Sequence, residues 1–166
     1  MIDKHKTTIR EIQPQELNRL EDFLYEAIYQ PDKANPAPRD VIKIPEVSVY
    51  IDNFGQQKDD YCLVAEWEGK LIGAVWVRVL ADEIKGYGNI DEKTPEFAIS
   101  LYENCRNQGI GTQLMNTMID HLRKKDYAQA SLSVNKENPA VRFYKNLGFE
   151  ILKENQEDYL MLLKLK

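Results

Sequence analysis

The chain has 166 residues, 43% of them hydrophobic, which is enough apolar material for one globular core and too little for two. Its 27 acidic and 22 basic side chains leave a formal charge of -5, so it lacks the broad positive field of a nucleic-acid or anionic-membrane binder. The apolar run from Leu71 to Val77, bounded by Lys70 and Arg78, is far shorter than the roughly 20 residues of a membrane helix. The polar start (Met1, Ile2, Asp3, Lys4, His5, Lys6) lacks the apolar core and small-residue cleavage site of an export signal, so none is expected, and Cys62 with Cys105 cannot supply a disulfide framework. A cytoplasmic location and a single domain over 1–166 are expected.

Thr7 to Ile12 has the composition of a short strand. Pro14 to about Tyr29 carries Leu17, Leu20, Phe23, Leu24 and Ile28 at helical spacing. Pro31, Pro36, Pro38 and Pro45 then mark Gln30 to Asp60 as a long connection, with a short helix expected at Glu46 to Asn53. A connection this long in a compact domain is usually a binding loop or a mobile one. Tyr61 to Trp67 and Lys70 to Leu80, joined by Glu68 and Gly69, read as an antiparallel hairpin whose second strand is apolar on both faces, hence central. Asp82 to Thr94 is polar and contains Gly86 and Gly88, and Glu96 to Tyr102 returns to strand composition.

From Gly111 to about Lys125, Leu114, Met115, Met118, Ile119 and Leu122 form the apolar stripe of an amphipathic helix. Ala130 to Val134 is a further strand. Asn138 and Pro139 have the character of an N-cap and first-turn proline, opening a helix that Gly148 stops. Phe149 to Lys153 and Tyr159 to Leu165 alternate as a closing pair of strands. The order of elements predicts an α/β architecture with mixed strand direction.

The segment richest in chemistry runs from Ile99 to Met115, where a strand passes through Arg106, Asn107, Gln108, Gly109, Ile110, Gly111 and Thr112 into the helix. Glycines in such a turn let successive N–H groups converge, and the positive end of the helix dipole adds to their pull on an anion, so a phosphate ligand is predicted. A Walker loop needs Lys and Ser or Thr directly after its second glycine, and the dinucleotide fingerprint needs a third glycine beyond Gly111. Thr112, Gln113 and Leu114 satisfy neither.

Arg-x-x-Gly-x-Gly at Arg106, Gly109 and Gly111, between a strand and a helix, resembles the acyl-CoA loop of the GCN5-related N-acetyltransferase (GNAT) superfamily. Asn138 to Tyr144, followed by Leu147, Gly148 and Phe149, resembles that superfamily's second signature. The similarity covers Pro95 to Phe149, about a third of the chain. It implies a GNAT fold of the α/β (α+β) class: a mixed, mostly antiparallel sheet of about seven strands flanked by about four helices. It also implies acetyl-CoA as cosubstrate and an amine as acceptor. The backbone of Ile99, Ser100 and Leu101 would hold the pantetheine arm and thioester, and the N–H groups of Asn107, Gln108, Gly109, Ile110, Gly111 and Thr112 the diphosphate. Asn138 would contact the arm, with Arg106, Arg142 and Lys145 near the remaining phosphates.

Acetyl transfer to an amine poses two proton problems. A lysine-like amine of pKa about 10.4 is neutral about once in 2500 at pH 7, a handicap of roughly 4.6 kcal/mol, so a base is needed. Glu96 is the expected base, at the start of the strand leading to the glycine turn and on one face with Ala98 and Ser100; Glu66, Asp82, Glu83 and Glu103 are alternatives. The resemblance assigns Tyr144 to the departing thiolate. A phenol near pKa 10 is a weaker acid than a thiol near 8.5, so a hydrogen bond to the developing negative sulfur is expected of it rather than full proton transfer.

Cys105 beside Arg106 is a candidate low-pKa thiol, but no His lies near it in sequence and the transfer needs no covalent step. His5 and His121 with the cysteines form no metal spacing, so no metal is expected. Trp67, Trp76, Tyr50, Tyr61 and Tyr87 are candidates for lining an acceptor pocket, with core packing favoured for the tryptophans. An acetyl-CoA-dependent N-acetyltransferase is the leading expectation, with a non-catalytic acyl-CoA-binding or sensing module as the alternative. The last strand offers an edge for a homodimer.

Overall fold

The central hairpin forms as its alternation predicts. β2 (Tyr61–Trp67) and β3 (Lys70–Arg78) pair antiparallel, and the turn between them puts Glu68 and Gly69 at φ 50° and 76°, the positive values a tight two-residue hairpin turn requires. The computed structural model describes residues 2–166; Met1, the first residue of the polar start, lies outside them. β1 (Thr8–Glu11) adds to β2, and β4 (Glu96–Leu101) to β3, both antiparallel. Beyond them lie β5 (Gln129–Asn135), β6 (Glu150–Glu154) and β7 (Asp158–Lys164), giving among the described residues a seven-stranded sheet in the order β1-β2-β3-β4-β5-β7-β6; the last strand, expected to offer a free edge, is paired on both sides, and β6 is the edge instead. β4 with β5 is its parallel pairing. Among the described residues four α-helices flank this sheet, so the mixed, mostly antiparallel architecture holds.

The helices α1 (Leu20–Ala27), α2 (Pro45–Ser48), α3 (Ile110–Lys124) and α4 (Ala140–Asn146) divide between the two faces. α3 buries the predicted stripe against Val75, Val77, Phe97 and Leu132, and Leu114 and Met118 are fully enclosed. Each such side chain contributes about 2 kcal/mol relative to exposure. On the opposite face Leu20, Phe23 and Leu24 of α1 pack with Ile42 and Phe54 onto Val64, Ala74 and Trp76. β3 is thus covered on both sides, as its composition predicts.

Two helical expectations are corrected. The helix predicted from Pro14 begins as a 3-10 turn over Pro14–Arg19 and becomes α-helical only at Leu20. Its Glu16 is drawn to the Arg10 guanidinium on β1 (2.8 Å for each oxygen) while also accepting the Gln13 N–H (2.9 Å), which tightens the first turn. The helix expected at Glu46 to Asn53 is α-helical only over Pro45–Ser48 and continues as hydrogen-bonded turns through Phe54.

The long 30–60 connection is anchored by a charge that its sequence did not reveal. Arg78 of β3, 2% exposed, donates through Nε and Nη2 to both oxygens of Asp60 (3.0 and 2.9 Å). Its Nη1 donates to the carbonyls of Val49 and Asp52 (2.9 Å each), and the guanidinium lies over the Phe54 ring. Among the described residues no helix is long and apolar enough to cross a membrane.

Breaking this ion pair from one side leaves a buried charge uncompensated. Asp60→Ala is expected to cost about 3 kcal/mol or more in urea denaturation, whereas the double replacement Arg78→Met with Asp60→Leu costs less.

Candidate active site

The parallel ladder between β4 and β5 consists of one residue pair, Glu96 with Ser131, held by the bond from Ser131 N–H to the Pro95 carbonyl (3.0 Å). Backbone groups alternate sides along a strand. Because the Tyr102 N–H donates back to Ile72 on β3 (3.1 Å), the even-numbered amides of β4 face β3 and the odd-numbered ones face β5. Past Phe97, therefore, Ile99 and Leu101 present backbone groups to a widening gap. The Leu101 carbonyl is taken by Arg106 Nε (3.0 Å); the Ile99 groups and the Leu101 N–H find no ladder partner among the described residues.

At the wide end of this gap lies the glycine turn. Asn107 and Gly109 adopt left-handed conformations (φ 61° and 86°), and α3 starts directly after Gly109 with no acidic residue in its first turn. As a result, none of the N–H groups from Asn107 to Thr112 meets an acceptor among the described residues. The amino-terminal segment lies over this turn: the Ile2 N–H donates to Gln108 Oε1 (2.9 Å) and Gln113 Nε2 to the Lys4 carbonyl (3.3 Å). The Lys4 side chain covers Gly109 so closely that a Cβ there would lie 3.2 Å from Lys4 Cδ and 3.7 Å from Nζ. Gly111 faces Leu101 and Phe143, which places the end of β4, the head of α3 and α4 around one wall.

Glu96 occupies the vertex where β4 and β5 part, 2% exposed and on the α1 face of the sheet. Its Oε2 accepts the Tyr50 hydroxyl and the Gly88 N–H (3.0 Å), while Oε1 is buried without a partner among the described residues. Burial raises its pKa to about 7, against the opposing pull of the Tyr50 and Gly88 hydrogen bonds. Gly88 bridges the vertex, since its carbonyl also accepts the Ser131 hydroxyl (2.6 Å). A Cβ on Gly88 would come within 2.8 Å of the Leu132 backbone and 3.0 Å of the Glu96 carboxyl carbon, so glycine is required there by close approach. Ser100, on the same face, is bound to the Phe23 carbonyl of α1 (2.6 Å).

Tyr144 stands on the other face of the sheet, in α4, edge-on to Phe149 (5.9 Å) and tilted against Phe143 (5.4 Å). Burial raises its phenol to about 12. No group of the described residues hydrogen-bonds its hydroxyl. Asn138 caps α4, its Oδ1 accepting the Ala140 N–H (2.9 Å). Arg106, expected among the phosphate partners, is directed to Leu101 and to the Glu26 carboxylate (3.3 Å), whereas Arg142 is exposed.

Of the alternative carboxylates, Glu66 pairs with Arg10 (2.6 Å), Glu103 with Lys33, and Asp82 and Glu83 are exposed. Cys105 is buried and its thiol pKa is raised by desolvation, opposite to the lowering that a neighbouring arginine suggests. A cavity of about 660 Å³ lies away from this vertex, between the hairpin turn and the start of α1, lined by Arg19, Trp67, Tyr102 and Cys105. Trp76 is core, with Nε1 donating to the Tyr50 carbonyl (3.1 Å). Sequence reasoning missed Lys4 and Gly88 as site components, because each reaches the site only through contacts distant in the chain; Tyr50, expected among the aromatics of an acceptor pocket, enters through its hydroxyl on Glu96.

Residues 24–149 match the acetyltransferase (GNAT) family. Over 112 residues the chain is 31% identical to an uncharacterised N-acetyltransferase of Methanocaldococcus jannaschii, an overlap of 66% of this chain and 47% of that protein. The chain spans less than half the length of the curated relatives it matches. The PaiA N-acetyltransferase of Thermoplasma acidophilum, solved in complex with coenzyme A, superimposes with a TM-score of 0.67 over 95% of this chain and 98% of that one, at 19% identity. An acetyltransferase of the GNAT family from Streptococcus pneumoniae gives a TM-score of 0.68 over 96% and 99%, at 21% identity. These two are likenesses of fold.

The raised pKa of Glu96 has a consequence for stability. Because the folded protein holds this proton more tightly than the unfolded chain, the contribution is fully present below the ordinary glutamate pKa and is lost as pH rises through about 7. The stability margin of wild type over Glu96→Gln, measured by urea denaturation, is expected to shrink by about 2 to 3 kcal/mol between roughly pH 4.5 and pH 7.5.

Proposed function

The chain belongs to the acetyltransferase (GNAT) family, and we propose that it moves an acetyl group from acetyl-CoA to a primary amine by direct attack within a ternary complex. The observation that carries this reading is the run of unspent N–H groups from Asn107 to Thr112, at the head of α3 and beside the open edge of β4. Such a run suits a diphosphate, because each amide offers a preoriented donor and the helix dipole favours negative charge. Lys4, laid across Gly109, would add a cation at the same place. The free backbone groups of Ile99 and Leu101 suit the amides of a pantetheine arm entering the gap like an additional strand.

Glu96 is the proton acceptor in this reading. A carboxylate whose pKa lies near neutrality is both ionised often enough and basic enough to take a proton as the amine attacks. The nitrogen forms a bond to the thioester carbonyl carbon, the carbon–sulfur bond breaks, the amine proton passes to Glu96 directly or through water, and sulfur leaves as the thiolate. Tyr144 supports that departure. With its phenol raised to about 12, proton transfer to a thiolate of ordinary pKa about 8.5 would be uphill by roughly 5 kcal/mol, so its role is a hydrogen bond to the developing charge on sulfur. Asn138 completes the expected contacts with the arm; the Ser100 backbone, expected among them, is turned to Ala74 of β3 instead, because even-numbered groups of β4 face that strand.

The test is acetyl-CoA titration and thiol release over a panel of amines and amino-terminal peptides. Gly111→Leu is expected to weaken acetyl-CoA binding at least about tenfold with little change in melting temperature, whereas Gly111→Ala is tolerated because its Cβ would meet Leu101 and Phe143 at 3.5 and 3.6 Å. Glu96→Gln is expected to lower turnover about a hundredfold or more, and Tyr144→Phe about tenfold, with acetyl-CoA affinity unchanged. Acetyl-CoA binding without thiol release across the whole panel would instead mark a sensing module.

A further inference from the structure

Tyr50 joins two covering segments to Glu96. Its hydroxyl donates to Glu96 Oε2 and accepts the Tyr87 N–H (2.9 Å), so the 30–60 connection and the 82–94 loop meet at this one oxygen. Its backbone is fixed from below. Trp76 donates to the Tyr50 carbonyl (3.1 Å), and Arg78 holds the carbonyls of Val49 and Asp52 on either side (2.9 Å each). The result is an asymmetric carboxylate. Oε2 carries two donors and Oε1 none, although the whole side chain is 2% exposed. Glycine at 86 preserves that state, because a Cβ there would run into Oε1.

The charged and titratable groups around Glu96 leave Tyr50 as its side-chain donor. From β3, Arg78 stands directly opposite in the ladder, but its guanidinium is spent on Asp60 and the two carbonyls. From β5, Ser131 gives its hydroxyl to the Gly88 carbonyl (2.6 Å). From the 82–94 loop, Tyr87 contributes its backbone N–H, with its ring exposed. Tyr50 itself keeps its proton through neutral pH, because burial first and the nearby Glu96 second raise its phenol well above the ordinary value.

We infer that Tyr50 is a positioning residue: it fixes Oε2 of Glu96 so that the unpartnered Oε1 receives the acceptor's proton, and it makes this base complete only when the 45–60 segment is docked on β3. This rests on the proposed role of Glu96 as proton acceptor. The same segment then has two duties, since the tyrosine that completes the base belongs to the connection that the Arg78–Asp60 pair anchors.

The experiment is a carboxyl-carbon NMR titration of protein labelled at the glutamate side chains, with wild type, Tyr50→Phe and Glu96→Gln compared. One resonance titrating near neutrality is expected in wild type and absent from Glu96→Gln. In Tyr50→Phe its midpoint is expected to rise by about one pH unit, a tenfold tighter grip on the proton, because the lost hydrogen bond favoured the ionised form. Turnover in the thiol-release assay is expected to fall about fivefold at pH 7 in Tyr50→Phe and to recover toward pH 9, with acetyl-CoA affinity unchanged. A Tyr50→Phe midpoint equal to wild type, with Glu96→Gln inactive, overturns the positioning role and leaves the base standing. Undiminished turnover in Glu96→Gln removes the base itself and the positioning role with it.

Discussion

β4 and β5 pair at Glu96 and Ser131 and then diverge, and the candidate site is built around that divergence. Each strand is committed on its other side: β5 pairs with β7 along its whole length, and β4 with β3. Gly88 bridges the start of the gap by binding both Glu96 and Ser131. Ile99 and Leu101 are half-buried, so their free backbone groups cost less than the penalty of about 1 to 3 kcal/mol for an unpaired group in a dry core. The rest of the core offsets this, chiefly the α3 stripe and the two-sided packing of β3. An open strand edge inside a sheet is thus a standing demand for an amide-bearing ligand, and the unspent N–H groups at the head of α3 are a second demand, for negative charge, at the gap's wide end.

Charge is distributed so that one carboxylate stays unneutralised. Arg78 and Glu96 are direct cross-strand neighbours, and a salt bridge between them would hold the glutamate ionised at all working pH values. Asp60 takes the guanidinium instead, in a buried bidentate pair, and the carbonyls of Val49 and Asp52 use its other side. Glu96 is left with neutral donors only, so burial dominates and its pKa rises toward neutrality. The ion pair that docks the long connection is also what keeps Glu96 from being fixed as a permanent anion.

The parts legible in the sequence are those governed by short-range pattern. The hairpin follows from alternation around Glu68 and Gly69, α3 from its apolar stripe, and the placement of Glu96 on the Ala98 and Ser100 face from strand parity. The order of strand, glycine turn and helix from Ile99 to Met115 survives intact. The 3-10 start of the first helix was hidden because it depends on Glu16 reaching Arg10 across to β1. Tyr50 was visible as an aromatic in a loop, but its hydrogen bond to a residue 46 positions away has no local signature. Lys4 looked like part of a polar tail, since its place over Gly109 depends on β1 joining the sheet at the far side of the hairpin.

The two proposed proton-handling groups approach the gap from opposite layers. Odd residues of β4 side with α3 and α4, and even residues with α1, so Glu96 and Tyr144 lie on different faces of the sheet with the strand edge between them. Acyl transfer by direct attack has the same polarity. The nucleophile delivers its proton on one side of the carbonyl while the leaving sulfur gathers charge on the other, and a base and a donor on the same side would interfere with each other. The sheet separates them: burial brings the Glu96 carboxyl to about 7, so that in the proposed reaction its ionised fraction would accept a proton, and raises the Tyr144 phenol to about 12, so that it would keep its own. The amine would then enter from the α1 layer, over the 30–60 connection, and the coenzyme from the α3 layer, over the glycine turn. Acceptor choice would rest with the residues of that connection, while the glycine turn answers only for the shared donor.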